Sequence, residues 1–596
     1  MRTEQEIRGR ERTHDLTIAI AGSGGDGIIA AGEILVAACA SQGLSCLLLK
    51  SFGAQIRGGE SSCRIRLDRE QVLSQGDLLD AVCVLSWADY FKFEAEMDLA
   101  EDAVFIEDAD DPYAGPKPYD SLPLASVYRV PFGKIAREEV GNPLTKNVVL
   151  LGVLAGLVNL PADAIRHAIA RRFSKKARAV VEADWKALDA GLAFARDRIE
   201  KTDGIHLEFD PAEPRLVFTG NEALAYGALS AGCRFYAGYP ITPSSEILHW
   251  MSEWLPRYGG TCLQTEDEMA ALAMVIGASF AGAKAMTATS GPGMSLMGEL
   301  LGLASTAEIP CVIVNCQRGG PSTGIPTKTE QADLQQALYG THGDAPRVVM
   351  APADVEDCFD TAVLAFMVSE RYQIPVIILS DQFIAQRVEC IARERIAAGF
   401  MPVTERTRPA PGEFKTGTFP RYALTASGVS PMSIPGIAGA EYQTSGLAHT
   451  ERGRPTSQVE LNKLQAEKRW RKLASISEDL SFVRHYGPDD ARFGIFAWGS
   501  SKGAVKEAVR ILHRDGVKVR AIVPQILSPI PKRDFEAFAA SVERALVVEL
   551  SQSGQFLRYI RAFLDLPCEL IPCNRPGGFP WSVREITTKV MEAIGQ

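Results

Sequence analysis

The stretch "LTIAIAGSGGDGIIAAGEILVAACASQG", Leu16 to Gly43, reads as an apolar strand, a glycine turn and an Ala/Ile/Leu-rich helix. A second strand follows in "LSCLLLKSFG", Leu44 to Gly53, so the chain opens as a β-α-β unit. Strand-like and helix-like runs alternate to about residue 200, where the charged "ARDRIEKTDGIHLEFDPAEPR" reads as a linker. The pattern resumes with "LVFTGNEALAYGALSAG" and runs to "IPVIILSDQFIAQR", which ends at Arg387. Pro, Gly, Ser and Thr then dominate "RPAPGEFKTGTFPRYALTASGVSPMSIPGIAG", and "QVELNKLQAEKRWRKLASI" follows as a charged amphipathic helix. The last hundred or so residues return to strand, turn and helix. The expected fold class is therefore α/β, with several open parallel-sheet domains. Four segments are expected: 1–200, 201–403, a connecting segment 404–490, and 491–596.

At 596 residues the chain is too long for one core. With 46% hydrophobic and 23% charged residues it has the composition of a globular protein, and its net charge of -10 argues against a nucleic-acid partner. The charged N-terminus "MRTEQEIRGRERTHD" has no apolar h-region, and "VVLLGVLAGLV", Val148 to Val158, is too short to cross a bilayer. The expectation is a cytoplasmic protein with no membrane association. The 12 cysteines contain no C-x-x-C and lack zinc or ferredoxin spacing, so they read as small buried apolar residues, with no metal bound by this chain.

Gly22, Gly24 and Gly27 match the spacing of a dinucleotide fingerprint between a strand and a helix. A ribose-binding acid should close the second strand, yet Lys50 and Ser51 stand there, which disfavours NAD. The turn, Gly24, Gly25 and Gly27, is left either as a phosphate or coenzyme A contact at a helix N-terminus or as a tight structural turn. Arg57 in "QIRGGESS" is a second anion contact or part of a turn. "GGDG" also matches the G-D-G that opens the diphosphate and Mg²⁺ motif of thiamine enzymes. That motif needs an Asn about thirty residues on, and the first Asn of this chain is Asn142.

Three further segments stand together: "AGYPITPSSE", "CLQTEDEMAALAMVIGASFAGAKAMTATSGPGMS" and "CVIVNCQRGGPSTGIPTKTEQADLQQALYGTHGD". In this order and spacing they resemble the pyrimidine-binding α subunit of 2-oxoacid:ferredoxin oxidoreductases, thiamine-dependent enzymes that form acyl-CoA. The first unit resembles the γ domain of that family fused in front, and the connecting segment and final unit fit as well. One departure is Ala448 in "SGLAHTERG", where the family pattern has Glu before His449. The resemblance implies a transketolase-like pyrimidine-binding domain over 201–403 and a transketolase-like C-terminal domain.

In thiamine catalysis a carboxylate must hydrogen-bond the aminopyrimidine in a nearly water-free wall. Glu266, Asp267 and Glu268 stand where a strand runs into a helix, and by resemblance Glu268 is that group; by residue type alone, all three could complement the helix dipole. Tyr239, Pro240, Ile241 and Thr242 are implied cofactor contacts, with the prolines holding Thr242 in position for a substrate carboxylate. Thr289, Ser290, Gly291, Pro292 and Gly293 form a turn whose backbone can approach the ring. Arg318 and Thr327 are substrate contacts by resemblance. Lys328 is added from its place on the same loop, for the distal carboxylate of a 2-oxo diacid; a solvated surface lysine is the alternative.

A pyrimidine half-site without a diphosphate half-site implies a partner. The resemblance supplies a β subunit bearing the diphosphate motif, Mg²⁺ and a [4Fe-4S] cluster, in a heterodimer that pairs into a heterotetramer. The implied reaction converts 2-oxoglutarate and coenzyme A to succinyl-CoA and CO₂, with single electrons passing to ferredoxin. Other 2-oxoacids (pyruvate, branched-chain or aryl), or a non-catalytic nucleotide-binding protein, are the alternatives.

Overall fold

The computed structural model describes residues 13–53, 59–398 and 403–595. They form two compact units, one made of residues up to Phe218 with Arg387–Glu394, the other of Thr219–Gln386 with Arg395 onward. Among the described residues no helix is long and apolar enough to cross a membrane.

In the first unit an eight-stranded sheet runs in the order Ser126–Val130, Leu99–Asp108, Leu79–Val84, Leu16–Ser23, Glu60–Asp68, Ser45–Phe52, Val388–Ile391, Leu216–Thr219. The α/β class holds, but the sheet is mixed. Leu16–Ser23 and Ser45–Phe52 share a direction, yet Glu60–Asp68 lies between them, antiparallel to both, with Ile65 facing Ile18 on one side and Leu48 on the other. Glu60–Asp68 follows Ser45–Phe52 too closely for a helical crossover, so it returns as a hairpin strand. The helix Ile28–Ser41 packs on this sheet so closely that a Cβ on Gly32 would meet Cys63 Sγ at 2.8 Å. "VVLLGVLAGLV" lies in the buried helix Lys146–Val158, where Gly152 faces Gly191 of helix Arg178–Arg198; a Cβ on either would come within 2.9 Å of the other's Cα.

The second unit holds two sheets. Seven strands run in the order Ile526–Ser528, Val348–Met350, Pro375–Asp381, Cys311–Gln317, Ala285–Thr289, Phe235–Gly238, Thr261–Gln264, all parallel except Ile526–Ser528. Apolar runs such as "CVIVNCQ" and "PVIILSD" are buried throughout, as strands covered on both faces must be. Five strands, Val483–Tyr486 to Glu569–Asn574, form the other sheet, with Val483–Tyr486 antiparallel at its edge.

Residues 403–458 contain no helix or strand, yet they are anchored by buried charge. Arg406 donates to both carboxylate oxygens of Glu370 at 2.7 Å and to the Ser279 carbonyl. Helix Val459–Asp479 follows, and Lys468 and Lys472 reach Glu308 at 2.7 and 2.5 Å while Arg421 donates to the Glu308 carbonyl. Burial alone would raise the Glu308 carboxyl, but Lys472, Lys468 and Arg421 hold it well below the usual carboxylate range. Burial pushes the Lys472 ammonium down to about 7 against the pull of Glu308.

Candidate functional site

Parallel strands deliver their C-terminal ends to one edge of the seven-stranded sheet, where ligands of such sheets are taken up. Gly238 pairs with Gln264 and Gln317 with Asp381 at this edge, and Thr289 ends its strand there. The segments 239–245, 265–268, 290–293 and the loop from Arg318 leave from these ends. The sheet thus brings together the three motifs singled out from sequence.

"YPITPSS" is a surface turn held from below. Asn221 donates to the Pro243 carbonyl at 2.8 Å and to Glu246 at 2.9 Å, while the Ser244 hydroxyl and backbone N–H donate to the Ile241 carbonyl. Tyr239, Pro240 and Thr242 are left exposed, with Ile241 partly so. Arg318, only 9% exposed, donates from Nη1 to the Thr242 carbonyl at 2.6 Å. Its Nε is buried without a partner. Burial lowers the guanidinium's pKa, and Asp333 opposes that shift.

The structure separates the three acids of "TEDE". Asp267 is the N-cap of helix Glu268–Phe280 and accepts from the Ala270 N–H at 2.7 Å. Glu266 is exposed. Glu268 turns inward and is 5% exposed. Its carboxylate lies against the turn after Ala285–Thr289: a Cβ on Gly293 would collide with Glu268 Oε1 and Thr289 Oγ1. Thr289 and Ser290 are fully buried, and Ser290 Oγ has no hydrogen-bond partner. A buried carboxylate, a glycine wall that admits no side chain and an unpaired hydroxyl together fit the edge of an aminopyrimidine ring.

Asp333, to which sequence reasoning assigns no role, completes this wall. A Cβ on Gly291 would stand 2.8 Å from Asp333 Oδ2, which also accepts from Asn315 at 3.2 Å. Burial pushes the Asp333 carboxyl up to about 6, with the Asn315 amide opposing. The residue directly precedes helix Leu334–Tyr339, so in sequence it reads as an ordinary cap, although its side chain makes no cap hydrogen bond.

The other candidates are placed as follows. Thr327 is exposed on the loop after Arg318, and Lys328 Nζ stands 5.0 Å from the centre of the Phe579 ring. In the first unit the Gly24 N–H donates to the Gly59 carbonyl at 2.7 Å and the Ser23 N–H to Asp26 at 3.0 Å, so two amides near the turn already have internal acceptors. Gly25 is open, and Gly27 has φ +72°, which suits glycine. Arg57 lies outside the described residues. Ala448 leaves His449 buried against Tyr422, with ring centroids 4.0 Å apart; nothing in the structure explains the departure from Glu.

Residues 226–468 match the family model described as Pyruvate flavodoxin/ferredoxin oxidoreductase, thiamine diphosphate-binding. Residues 17–194 match Pyruvate ferredoxin/flavodoxin oxidoreductase, and 491–586 match Pyruvate:ferredoxin oxidoreductase core domain II. Fold and matches define a thiamine diphosphate-binding ferredoxin or flavodoxin oxidoreductase. The 2-oxoglutarate synthase subunit KorA of Archaeoglobus fulgidus is 41% identical over 342 residues, 57% of this chain and 89% of that one. The 2-oxoglutarate oxidoreductase subunit KorA of Mycobacterium tuberculosis is 32% identical over 565 residues, 88% of this chain and 83% of that one. A solved 2-oxoglutarate:ferredoxin oxidoreductase from Magnetococcus marinus, with 2-oxoglutarate, coenzyme A and succinyl-CoA bound, superposes with a TM-score of 0.90 at 36% identity, covering 98% of this chain and all of that one. The chain belongs to the 2-oxoacid:ferredoxin oxidoreductases, as an α subunit of the kind that includes KorA.

Proposed function

We propose that this chain is the α subunit of a thiamine-dependent 2-oxoglutarate:ferredoxin oxidoreductase, forming succinyl-CoA and CO₂ from 2-oxoglutarate and coenzyme A. The observation that carries this reading is the buried Glu268 carboxylate against Gly293 in a wall without room for a side chain. Thiamine diphosphate, when bound, supplies the carbanion and electron-sink chemistry that decarboxylation requires. Glu268 holds the proton-accepting end of the aminopyrimidine hydrogen bond, and Thr289 to Gly293 line the ring's edge. Arg318 binds a substrate carboxylate and, through the Thr242 carbonyl, fixes the turn that carries Thr242. Thr327 and Lys328 are proposed for the distal end of the substrate, and Gly24, Gly25 and Gly27 for a coenzyme A phosphate. The diphosphate motif, Mg²⁺ and a [4Fe-4S] cluster are assigned to a β subunit, with ferredoxin as acceptor and a heterotetramer as the assembly.

The test is turnover of the chain assembled with its β subunit, using a panel of 2-oxoacids and a viologen acceptor, with Arg318→Lys alongside. The expected preference is for 2-oxoglutarate, and Arg318→Lys should weaken discrimination by about 1 to 3 kcal/mol in kcat/KM. Turnover of pyruvate or aryl oxoacids in preference to 2-oxoglutarate would overturn the substrate, and turnover by the isolated chain would overturn the division between subunits.

A further inference from the structure

Away from the sheet edge, the second unit contains a cavity of about 660 Å³ between the segment 338–347, helix Val459–Asp479 and the C-terminal residues around Pro529 and Tyr559. None of the residues assigned to the reaction lines it. Its volume falls within the range of small-molecule sites, roughly 300 to 1,000 Å³. Helix Val459–Asp479 shows why it is there. Lys468, Lys472 and Ile476 face inward and are buried, whereas Trp470, Ala474 and Ser477 line the cavity at helical spacing, with Leu473 beneath. Trp470 is 48% exposed on this wall, and Tyr339 and Phe563 opposite it are 56% and 54% exposed.

The polar end of the cavity is Arg347, which is 5% exposed. Its Nε donates to the Ala345 carbonyl at 3.1 Å and Nη2 to the Thr341 hydroxyl, while Nη1 is buried with no hydrogen-bond partner. No carboxylate pairs with it among the described residues; burial lowers its pKa to about 10. A buried guanidinium N–H without an acceptor is costly, and an anionic ligand oxygen would satisfy it by a charge-assisted bond. Lys532 and Asp344 both stand on the exposed rim, so the rim's charges offset and the buried selectivity rests on Arg347.

We propose that this cavity binds a small organic anion with a planar apolar body, its carboxylate on the Arg347 guanidinium and its ring among Trp470, Tyr339, Tyr559 and Phe563. Aromatic walls favour a flat ring by offset or edge contacts, and an aliphatic chain would gain only area. The site is distinct from the one proposed for 2-oxoglutarate, so it would be occupied alongside the substrate.

The test is calorimetric titration of the full chain, alone and assembled with its β subunit, with indole-3-acetate and its neutral isostere indole-3-acetamide. The acid should bind at least tenfold more tightly than the amide. Arg347→Gln should abolish that difference, and Ala474→Trp, which fills the cavity from an exposed helix position and leaves Arg347 in place, should remove binding of both. Equal affinity for acid and amide, no binding at millimolar concentration, or binding unchanged in Ala474→Trp would overturn the proposal. So would binding by the chain alone that disappears on adding the β subunit, which would make the groove a subunit interface.

Discussion

At the scale of single residues, the arrangement of "TEDE" separates capping from catalysis. Asp267 already supplies the cap, so the dipole of helix Glu268–Phe280 does not require Glu268. Glu268→Gln retains size and hydrogen-bonding capacity but not the anionic acceptor. We expect kcat to fall on the order of 10²-fold or more, with the melting temperature nearly unchanged. Asp267→Asn and Glu266→Gln serve as controls: the first should change stability by about 1 kcal/mol or less, and both should keep activity. Exchange of the thiamine C2 proton in the assembled complex reads the same step directly. If Glu268→Gln exchanges at the parental rate, Glu268 is not the acceptor. Glu268 was legible in the sequence only through the family resemblance of its flanking motifs, since residue type alone leaves all three acids as partners of the helix dipole. Asp333 was not, because an acid in front of a helix has an ordinary explanation, and only folding places it 2.8 Å from where a side chain on Gly291 would begin.

At the scale of elements, the turn after strand Ala285–Thr289 is defined by what it excludes. Gly293→Ala would drive its methyl group into Thr289 Oγ1 and the Glu268 carboxylate, and overpacking of this kind costs about 1 to 3 kcal/mol. The expected result is a folded protein whose thiamine diphosphate requirement rises and whose kcat falls at least tenfold. Gly25→Ala, with nothing within 4 Å of the new methyl, is the matched control and should leave stability unaltered. Normal kinetics in Gly293→Ala would show that the wall yields and that its tightness has no catalytic role. The alternation of strand and helix made the α/β class readable throughout. The hairpin strand Glu60–Asp68 escaped that reading because period and composition identify a strand without giving its direction, and direction here follows from the shortness of the connection. The 660 Å³ cavity was equally hidden, since its walls come from three separate segments spread between Leu338 and Phe563.

At the scale of the whole molecule, a segment without helix or strand is held by charge. Glu308 receives Lys468 and Lys472, and the Glu308 carbonyl receives Arg421. Glu308→Gln would leave two buried lysines without their carboxylate, at a cost of about 3 to 5 kcal/mol. The pH dependence has a definite sign. The folded carboxyl titrates below its ordinary value of 4.5, so its contribution is complete above that pH and is lost as the pH falls further. Denaturant midpoints measured between pH 7 and pH 3 should therefore drop for the parent over the acid part of that range. The Glu308→Gln variant should start lower and lack this component. Equal midpoints for the two proteins at pH 7 would mean that the buried charges do not anchor the segment.

The strand Val388–Ile391 pairs with Ser45–Phe52, although about 340 residues separate them in the chain. On the ribosome, Ser45–Phe52 emerges long before the strand that covers its edge. Until synthesis passes Ile391, the nascent first unit carries an unpaired backbone edge of the kind that invites pairing with another chain. A chaperone that shields nascent chains would therefore have the longest task here at Ser45–Phe52. Separating the first unit at the genetic level would require carrying Arg387–Glu394 along, by circular permutation rather than by a single cut.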